Sequence, residues 1–349
     1  MNAALGRVAP GKPLREGLDR IVKANMGAII IVGDGPDVLS ICSGGFLLDA
    51  AFSPQRLSEL AKMDGAIILA DDASRIARAN VHLVPDSAVP TSETGTRHRT
   101  AERVARSLDV TVVAVSEDMS VITIYVGGVK HVLEEIPRLL SRANQALSTL
   151  ERYKARLDDV SAALNALEVE DLVTLRDVAA VLQRAEMVRR IADEIGHHII
   201  ELGNEARLVR LQLDELISDT DDDRWLVLQD YAHDPSDATV DRTVQALAAL
   251  STDDLLDLRA VAEVLGLPEG TGDVDRSLQP RGARLLTKVP RLPEPVINHL
   301  VGRFGTLQKI MRATTDELVG VEGVGRERAR AIKEGLARLA ESSILDRYS

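Results

Sequence analysis

Two short stretches in the first third of the chain carry side chains that can work on phosphates. Lys62-Met63-Asp64-Gly65-Ala66 sets a carboxylate and a glycine directly before a β-branched run. Glu93-Thr94-Gly95-Thr96-Arg97-His98-Arg99-Thr100 is a glycine turn opening into a helical pattern, so arginines, a histidine and hydroxyls crowd the helix start. Guanidinium forks, hydroxyl donors and a helix dipole that favours anions are what a triphosphate needs. Asp64 can bind a divalent cation or help deprotonate a hydroxyl. Each stretch also has a plain structural explanation, since Asp-Gly is a common turn and a basic helix start a common solvated cap. Their coexistence points to a nucleotide or phosphate site.

A third stretch, Leu318-Val319-Gly320-Val321-Glu322-Gly323-Val324-Gly325-Arg326, lies between a helical segment capped at Thr314 or Thr315 and another running from Glu327 to Leu339. This is the pattern of a helix-hairpin-helix. Gly323 and Gly325 permit positive φ and close backbone approach, so the turn amides can hold a phosphate oxygen. Val321 and Val324 would pin the hairpin to its helices. Arg326, Arg328, Arg330 and Lys333 are near enough to add contacts to a duplex backbone, giving sequence-independent, salt-sensitive binding. The structural alternative is a hairpin that only packs. Val289 to Phe304 has the outline of a degenerate first hairpin, with Leu292-Pro293 in place of the glycine turn.

These side chains need a scaffold, and the flanking pattern supplies one. Gly27 to Val32, Ala66 to Ala70, Val110 to Val115 and Val121 to Tyr125 are short Val- and Ile-rich runs bounded by Gly and Asp. Such runs suit strands buried on both faces beneath packed helices. Pro54 to Met63 and Arg99 to Leu108 have helical periodicity, so the first 145 residues read as an α/β domain. From Asp171 to Asp219 apolar residues recur three, four or seven apart, an amphipathic helical spine with Gly196 and Gly203 as possible breaks. As one helix it would extend about 70 Å. Gly266 to Gly282 reads as a linker. The expected division is 1–145, 146–280 and 281–349.

Charge is distributed unevenly over that plan. The 349 residues hold 42 Lys plus Arg against 54 Asp plus Glu, a net charge of -12, with 2% aromatics. So few aromatics exclude base-stacking platforms, and an acidic total opposes nucleic-acid binding unless basic residues are segregated. They are: residues 281–349 carry 13 basic and 8 acidic side chains, leaving 29 against 46 before them. The single cysteine, Cys42, excludes a disulfide framework and a Cys-rich zinc site. With an N-terminus lacking an apolar signal segment, it gives the expectation of a cytoplasmic protein. The apolar runs fall far short of the roughly 20 residues of a membrane-spanning helix, so no membrane partner is expected. His197 and His198 face different directions on a helix, Trp225 and Tyr231 suit a helical core, and Asp221-Asp222-Asp223 suits a solvated helix end.

Lys62 to Leu69, Ala79 to Pro85, Thr91 to Arg103 and Ala143 to Leu147 together closely resemble the DNA integrity scanning diadenylate cyclases, the DisA family. The resemblance extends over nearly the whole chain, with a spine containing Glu201-Leu202-Gly203; Asp-Gly-Ala plus Arg-His-Arg at this separation is its specific part. It implies an α/β cyclase domain with a mixed sheet, an all-α spine and a C-terminal helix-hairpin-helix domain. It also implies condensation of two ATP into cyclic di-AMP with release of two pyrophosphates, assisted by Mg²⁺ or Mn²⁺. By resemblance Asp64 would bind the metal and help activate the 3′-hydroxyl, Gly65 would approach the nucleotide through its backbone, and Leu83 would pack on the adenosine. Thr96, Arg97, His98, Arg99 and Thr100 match the phosphate-binding segment, and Ser116 a further phosphate contact. Asp64, Arg97, His98 and Arg99 form the implied catalytic set. Relatives often carry basic residues after Ser-Glu, whereas this chain reads Ser116-Glu117-Asp118-Met119, so no contact is implied from position 119.

Closing a ring from two ATP requires two clefts facing each other across a two-fold axis, because each 3′-hydroxyl attacks the other ATP's α-phosphate in line. The family is similar in forming octamers with DNA-binding tips outward. The resemblance thus implies a homo-octamer, double-stranded or branched DNA as partner, and a cytoplasmic, nucleoid-associated protein. The alternative is a DNA-structure-binding scaffold whose nucleotide domain senses ATP without cyclising it.

Overall fold

A computed structural model describes residues 1–218, 220–266 and 273–346, so residues 267–272 of the linker and Asp219 of the helical run lie outside the described residues. The chain divides into two compact units, residues 1–145 with 194–211, and residues 146–193 with those from 212 onward.

In the first unit the order is α1 (Asn2–Arg7), α2 (Pro13–Lys23), β1 (Ala28–Val32), α3 (Pro36–Ser40), β2 (Cys42–Ser43), β3 (Phe46–Ala51), α4 (Pro54–Leu60), β4 (Ala66–Leu69), β5 (Arg75–Leu83), α5 (Thr96–Leu108), β6 (Thr111–Val115), β7 (Ile122–Val126) and β8 (Val129–Val132). The strands form one eight-stranded sheet ordered β2-β5-β4-β1-β6-β7-β8, with β3 also on β5. β1 and β4 are parallel and the other pairs antiparallel, so the sheet is mixed.

Successive side chains of β1 point to opposite faces. Ile30 packs with Leu14, Leu18, Ile21 and Leu57, whereas Ile29 and Ile31 pack with Val38, Ala101, Val104 and Ala105. Helices on both faces explain why β1 and β4 are buried at every position. Periodicity locates β1, β4, β6 and β7 but not β2, β3, β5 or β8. β5 escapes because Arg75, Arg78 and His82 interrupt its buried residues, and β3 because its side chains are almost all exposed.

The helical part begins with α6 (Ile136–Glu170) and α7 (Leu175–Leu202), followed by α8 (Arg207–Ile217), α9 (Thr220–Tyr231), α10 (Asp237–Ala249), α11 (Thr252–Leu256) and α12 (Leu258–Glu263). The run from Asp171 to Asp219 is therefore not one helix. Gly203, at φ +53°, ends α7, and a Cβ there would lie 2.7 Å from the Pro10 carbonyl oxygen. The Asn204 amide donates to that oxygen, so docking on the N-terminal segment breaks the helix. Gly196 stays inside α7. The segment 194–211 belongs with the first unit, where Glu201 receives the Glu134 amide and lies 2.9 Å from His131 Nε2. The Asp221-Asp222-Asp223 run stands in the opening turn of α9.

In the second unit α13 (Ala283–Thr287), α14 (Glu294–Phe304), α15 (Leu307–Arg312), α16 (Thr315–Val319) and α17 (Arg326–Asp346) enclose a core of Leu285, Leu286, Ile297, Leu300, Leu318 and Ile332. Arg284 joins α13 to the spine through Glu168 on α6, with guanidinium–carboxylate contacts of 3.1 and 2.8 Å. Tyr231 also donates to Glu168, and Asp230 accepts the amides of Gly282, Ala283 and Arg284. Buried charges persist only when satisfied in this way. Among the described residues no helix is long and apolar enough to cross a membrane.

Candidate functional site

The β4–β5 pair and the start of α5 form the walls of a cleft of about 770 Å³ in the first unit. Asp64 and Gly65 stand directly before β4. A Cβ on Gly65 would lie 2.6 Å from the Asn80 backbone, so the close approach of the neighbouring strand demands glycine before any ligand is considered. Asn80 has φ +55°, within the stretch where the β4–β5 register shifts. On the facing wall α5 begins at Thr96 with no side-chain cap and no acidic residue in its first turn. An uncapped helix start of this kind leaves backbone N–H groups for an anion. Its orientation is held by Glu102, which accepts from Thr91 and Ser92 and pairs with Arg106, and by Arg103, which donates to the Val89 carbonyl.

Asp64, Gly65, Leu83, Thr96, Arg97, His98, Thr100 and Ser116 all line this cleft. Arg99 is exposed and is not among the lining residues. Arg97 reaches across, its Nη2 3.2 Å from Asp64 Oδ1 and its Nη1 3.6 Å from Glu117 Oε2. Gly27 makes room for it, since a Cβ there would lie 2.2 Å from Arg97 Nη1. The Ser116 hydroxyl accepts the Met119 amide and shapes the turn after β6. Met119 is exposed. Gly27 and Asn80 were not candidates from sequence; their only advance signal is a small or polar residue beside a strand run.

His98 is half-buried in the cleft wall. Its Nδ1 is 2.9 Å from the Tyr125 hydroxyl, which donates to Glu93 Oε1 at 3.0 Å, and Lys130 Nζ is 2.5 Å from the same oxygen. Burial pushes the His98 imidazole below its ordinary range; Glu93 opposes this, while Lys130 and Arg97 reinforce it. Burial alone would raise the Glu93 carboxyl, but the bonds from Lys130 and Tyr125 outweigh it and hold it low. Burial and then the Glu93 bond push the Tyr125 phenol up, so it stays protonated.

In the second unit α16, the turn 320–325 and α17 form the expected helix-hairpin-helix. Thr314 is the cap, sharing a reciprocal capping box with Glu317. Val321 and Val324 are buried, so Val324 holds the turn by packing and can offer a ligand only its backbone. Gly323 has φ +83°, but Gly325 is not in the left-handed region, which corrects the expectation for the second glycine. Open space where its Cβ would stand leaves Gly325 free for close approach. The cations divide. Arg326 and Arg330 are exposed, Arg328 donates to the Gly323 carbonyl, and Lys333 turns inward to the Met311 and Ala313 carbonyls. Lys333 thus closes the end of α15. The earlier helix pair α13–α14 repeats the pattern: Val289 is buried, Arg291 has φ +61°, and the helix begins three residues later, as with Val321, Gly323 and Arg326.

Residues 15–130 match the family model of the DisA bacterial checkpoint controller nucleotide-binding domain, residues 133–273 its linker region, and residues 306–335 the helix-hairpin-helix motif. Fold and site together define a nucleotide-binding α/β domain joined through a helical linker to a helix-hairpin-helix. The chain is 54% identical to the DNA integrity scanning protein DisA of Frankia alni, covering 99% of this chain and 97% of that one. It is 55% identical to those of Frankia casuarinae (99% and 97%) and Acidothermus cellulolyticus (100% and 95%). The chain belongs to the DisA family.

Proposed function

We propose that the protein is a diadenylate cyclase, converting two ATP into cyclic di-AMP and two pyrophosphates under the influence of DNA held by its C-terminal hairpins. The observation that carries this reading is the convergence of Asp64 and Gly65 with Thr96, Arg97, His98 and Thr100 in one cleft of a DisA-family chain. A triphosphate seats on the first turn of α5, meeting backbone amides, the Thr96 and Thr100 hydroxyls and the Arg97 guanidinium, with Ser116 opposite. Leu83 packs on the adenosine. Arg99 does not line the cleft, and its phosphate role rests on the family resemblance alone.

The donor set fits Mg²⁺ or Mn²⁺ held jointly with substrate. Among the described residues no three His, Cys, Asp or Glu side chains converge on a metal position, whereas Asp64 is a single carboxylate with its side chain 93% exposed. Hard cations of this kind need only one or two carboxylates when phosphates complete the shell. Asp64 would hold the ion, and the ion would neutralise charge on the transferring phosphoryl group.

In each half-reaction the 3′-hydroxyl loses its proton, with Asp64 helping to activate it, and a bond forms from its oxygen to the α-phosphorus of the facing ATP as the bond to pyrophosphate breaks. Two copies must therefore meet cleft to cleft, and a homo-octamer built from such pairs is the assembly proposed. DNA contact falls to the basic tip through the turn amides near Gly323 and Gly325 and through Arg326 and Arg330. A cytoplasmic, nucleoid-associated protein follows from that partner.

Incubation with ATP and Mn²⁺ or Mg²⁺ tests the reading: a cyclic dinucleotide is expected. Folded protein that binds ATP yet forms no product would instead be an ATP-sensing DNA scaffold. Asp64→Asn should lower product formation by about 100-fold or more while native mass is unchanged; undiminished turnover would remove Asp64 from its role.

A further inference from the structure

One face of α14 is turned toward the hairpin between α16 and α17. Val296, His299 and Arg303 stand three and four residues apart, the spacing of a single helix stripe. They meet the turn in reverse order. A Val296 methyl carbon lies 2.9 Å from where a Cβ on Gly323 would stand, His299 Nδ1 is 3.2 Å from the Glu322 carbonyl oxygen, and Arg303 Nη1 is 3.3 Å from that of Gly320. Arg328, in the first turn of α17, donates to the Gly323 carbonyl at 2.6 Å. A carbonyl oxygen only accepts, so the proton of the His299 contact sits on Nδ1.

Amides offered to a phosphate must be aimed at it, and the carbonyls beside them must be turned aside, since their partial negative charge repels an anion. The peptides of the turn are trans, and in a planar trans peptide the carbonyl and the next residue's N–H point in opposite directions. Drawing the Glu322 carbonyl toward α14 therefore turns the Gly323 N–H away from that helix. The Val321 and Val324 amides are already bonded to the Leu318 and Val321 carbonyls, whereas that of Gly323 bonds no group among the described residues.

We infer that His299 is a positioning residue that orients the Glu322–Gly323 peptide so that the Gly323 N–H is presented to a backbone phosphate of duplex DNA, with Arg303 and Arg328 holding the flanking carbonyls. The inference rests on the duplex-binding reading and deepens it: α14 takes part in DNA contact through this turn without touching the phosphate. By exposure and charge alone, a surface histidine and arginine on a basic tip would pass for direct phosphate contacts.

The test measures binding of the full chain to a labelled linear DNA duplex over a range of salt. Asparagine carries its amide nitrogen as many bonds from Cβ as histidine carries Nδ1, and glutamine as many as Nε2. His299→Ala should weaken binding about tenfold, the worth of one hydrogen bond. His299→Asn should return to within about twofold of the parent, and His299→Gln should stay as weak as the alanine variant. A general loss of packing would act alike on the two amides, so their difference isolates the donor's position. Arg303→Met should weaken binding with the log–log salt slope unchanged, whereas loss of a direct phosphate contact lowers that slope by about one. Parental affinity in His299→Ala, a glutamine variant that binds as well as the asparagine one or better, or a slope lowered by about one in Arg303→Met overturns the inference. A parent that binds no duplex at low salt overturns the DNA reading itself, and does so before any variant is compared.

Discussion

Asp64 and Gly65 are neighbours with separate duties. Asp64 presents its carboxylate to the cleft and Arg97, while Gly65 is required where the Asn80 main chain of β5 comes close. A Cβ at position 65 meets main chain, which cannot swing aside as a long side chain would. Gly65→Ala should therefore cost about 1–3 kcal/mol in chemical denaturation; an unchanged midpoint would show that the strands yield without penalty. Contiguous motif residues were legible because Asp-Gly-Ala and Arg-His-Arg are local strings. Gly27 and Asn80 were not, because what they accommodate comes from distant segments. Tyr125 read only as a strand residue, and its hydroxyl acquires a role from His98 and Glu93, which other elements bring to it.

The hairpin elements separate structural cations from those available to a phosphate. Lys333→Ala should destabilise the tip, since it removes a donor to two carbonyls, yet leave the salt dependence of DNA binding unchanged. Arg330→Ala should preserve stability and lower the log–log salt slope by about one. Equal slopes for both variants would defeat the division. The two glycines divide similarly. Gly323→Ala meets a positive φ and a Val296 methyl 2.9 Å away, and should cost about 1–2 kcal/mol on thermal unfolding. Gly325→Ala enters open space, so its effect should appear in DNA affinity rather than in stability. From sequence these residues look alike: helical periodicity locates α17 but does not say which of its cations caps a neighbouring helix.

For the molecule as a whole, acidic charge dominates the chain before residue 281 and basic charge the tip after it, so the proposed duplex contact would be confined to one end of the sequence. The second unit also carries a pH dependence. Burial and the nearby Glu168 push the Asp230 carboxyl up to about 7, against the Arg284 and Ala283 amides and the Arg284 guanidinium. In the unfolded chain an aspartate titrates near ~3.9. Between those values the native state holds more proton than the unfolded one. The stability contributed by this group is full below that window and is lost as pH rises through about 7. Denaturation midpoints of the unit should fall between about pH 5 and about pH 8, and Asp230→Asn should flatten that part of the curve. Parallel profiles for both proteins would exclude Asp230 as the source.

The amino-acid order by itself determined the run of modules, four sheet strands, the phosphate-competent helix start, the glycine hairpin and the separation of charge. These depend on local periodicity and on residues adjacent in the chain. Tertiary structure alone decided that Asp64 meets Arg97, 33 residues away, and that of the two candidate breaks α7 ends at Gly203, against Pro10, and runs on through Gly196. It likewise turned Lys333 inward, left Arg99 outside the cleft and lined up Lys130, Glu93 and Tyr125 behind His98. A side chain's chemistry is written in its type, but its use depends on which groups pack against it. Those groups arrive from strands and helices whose pairing no local pattern records.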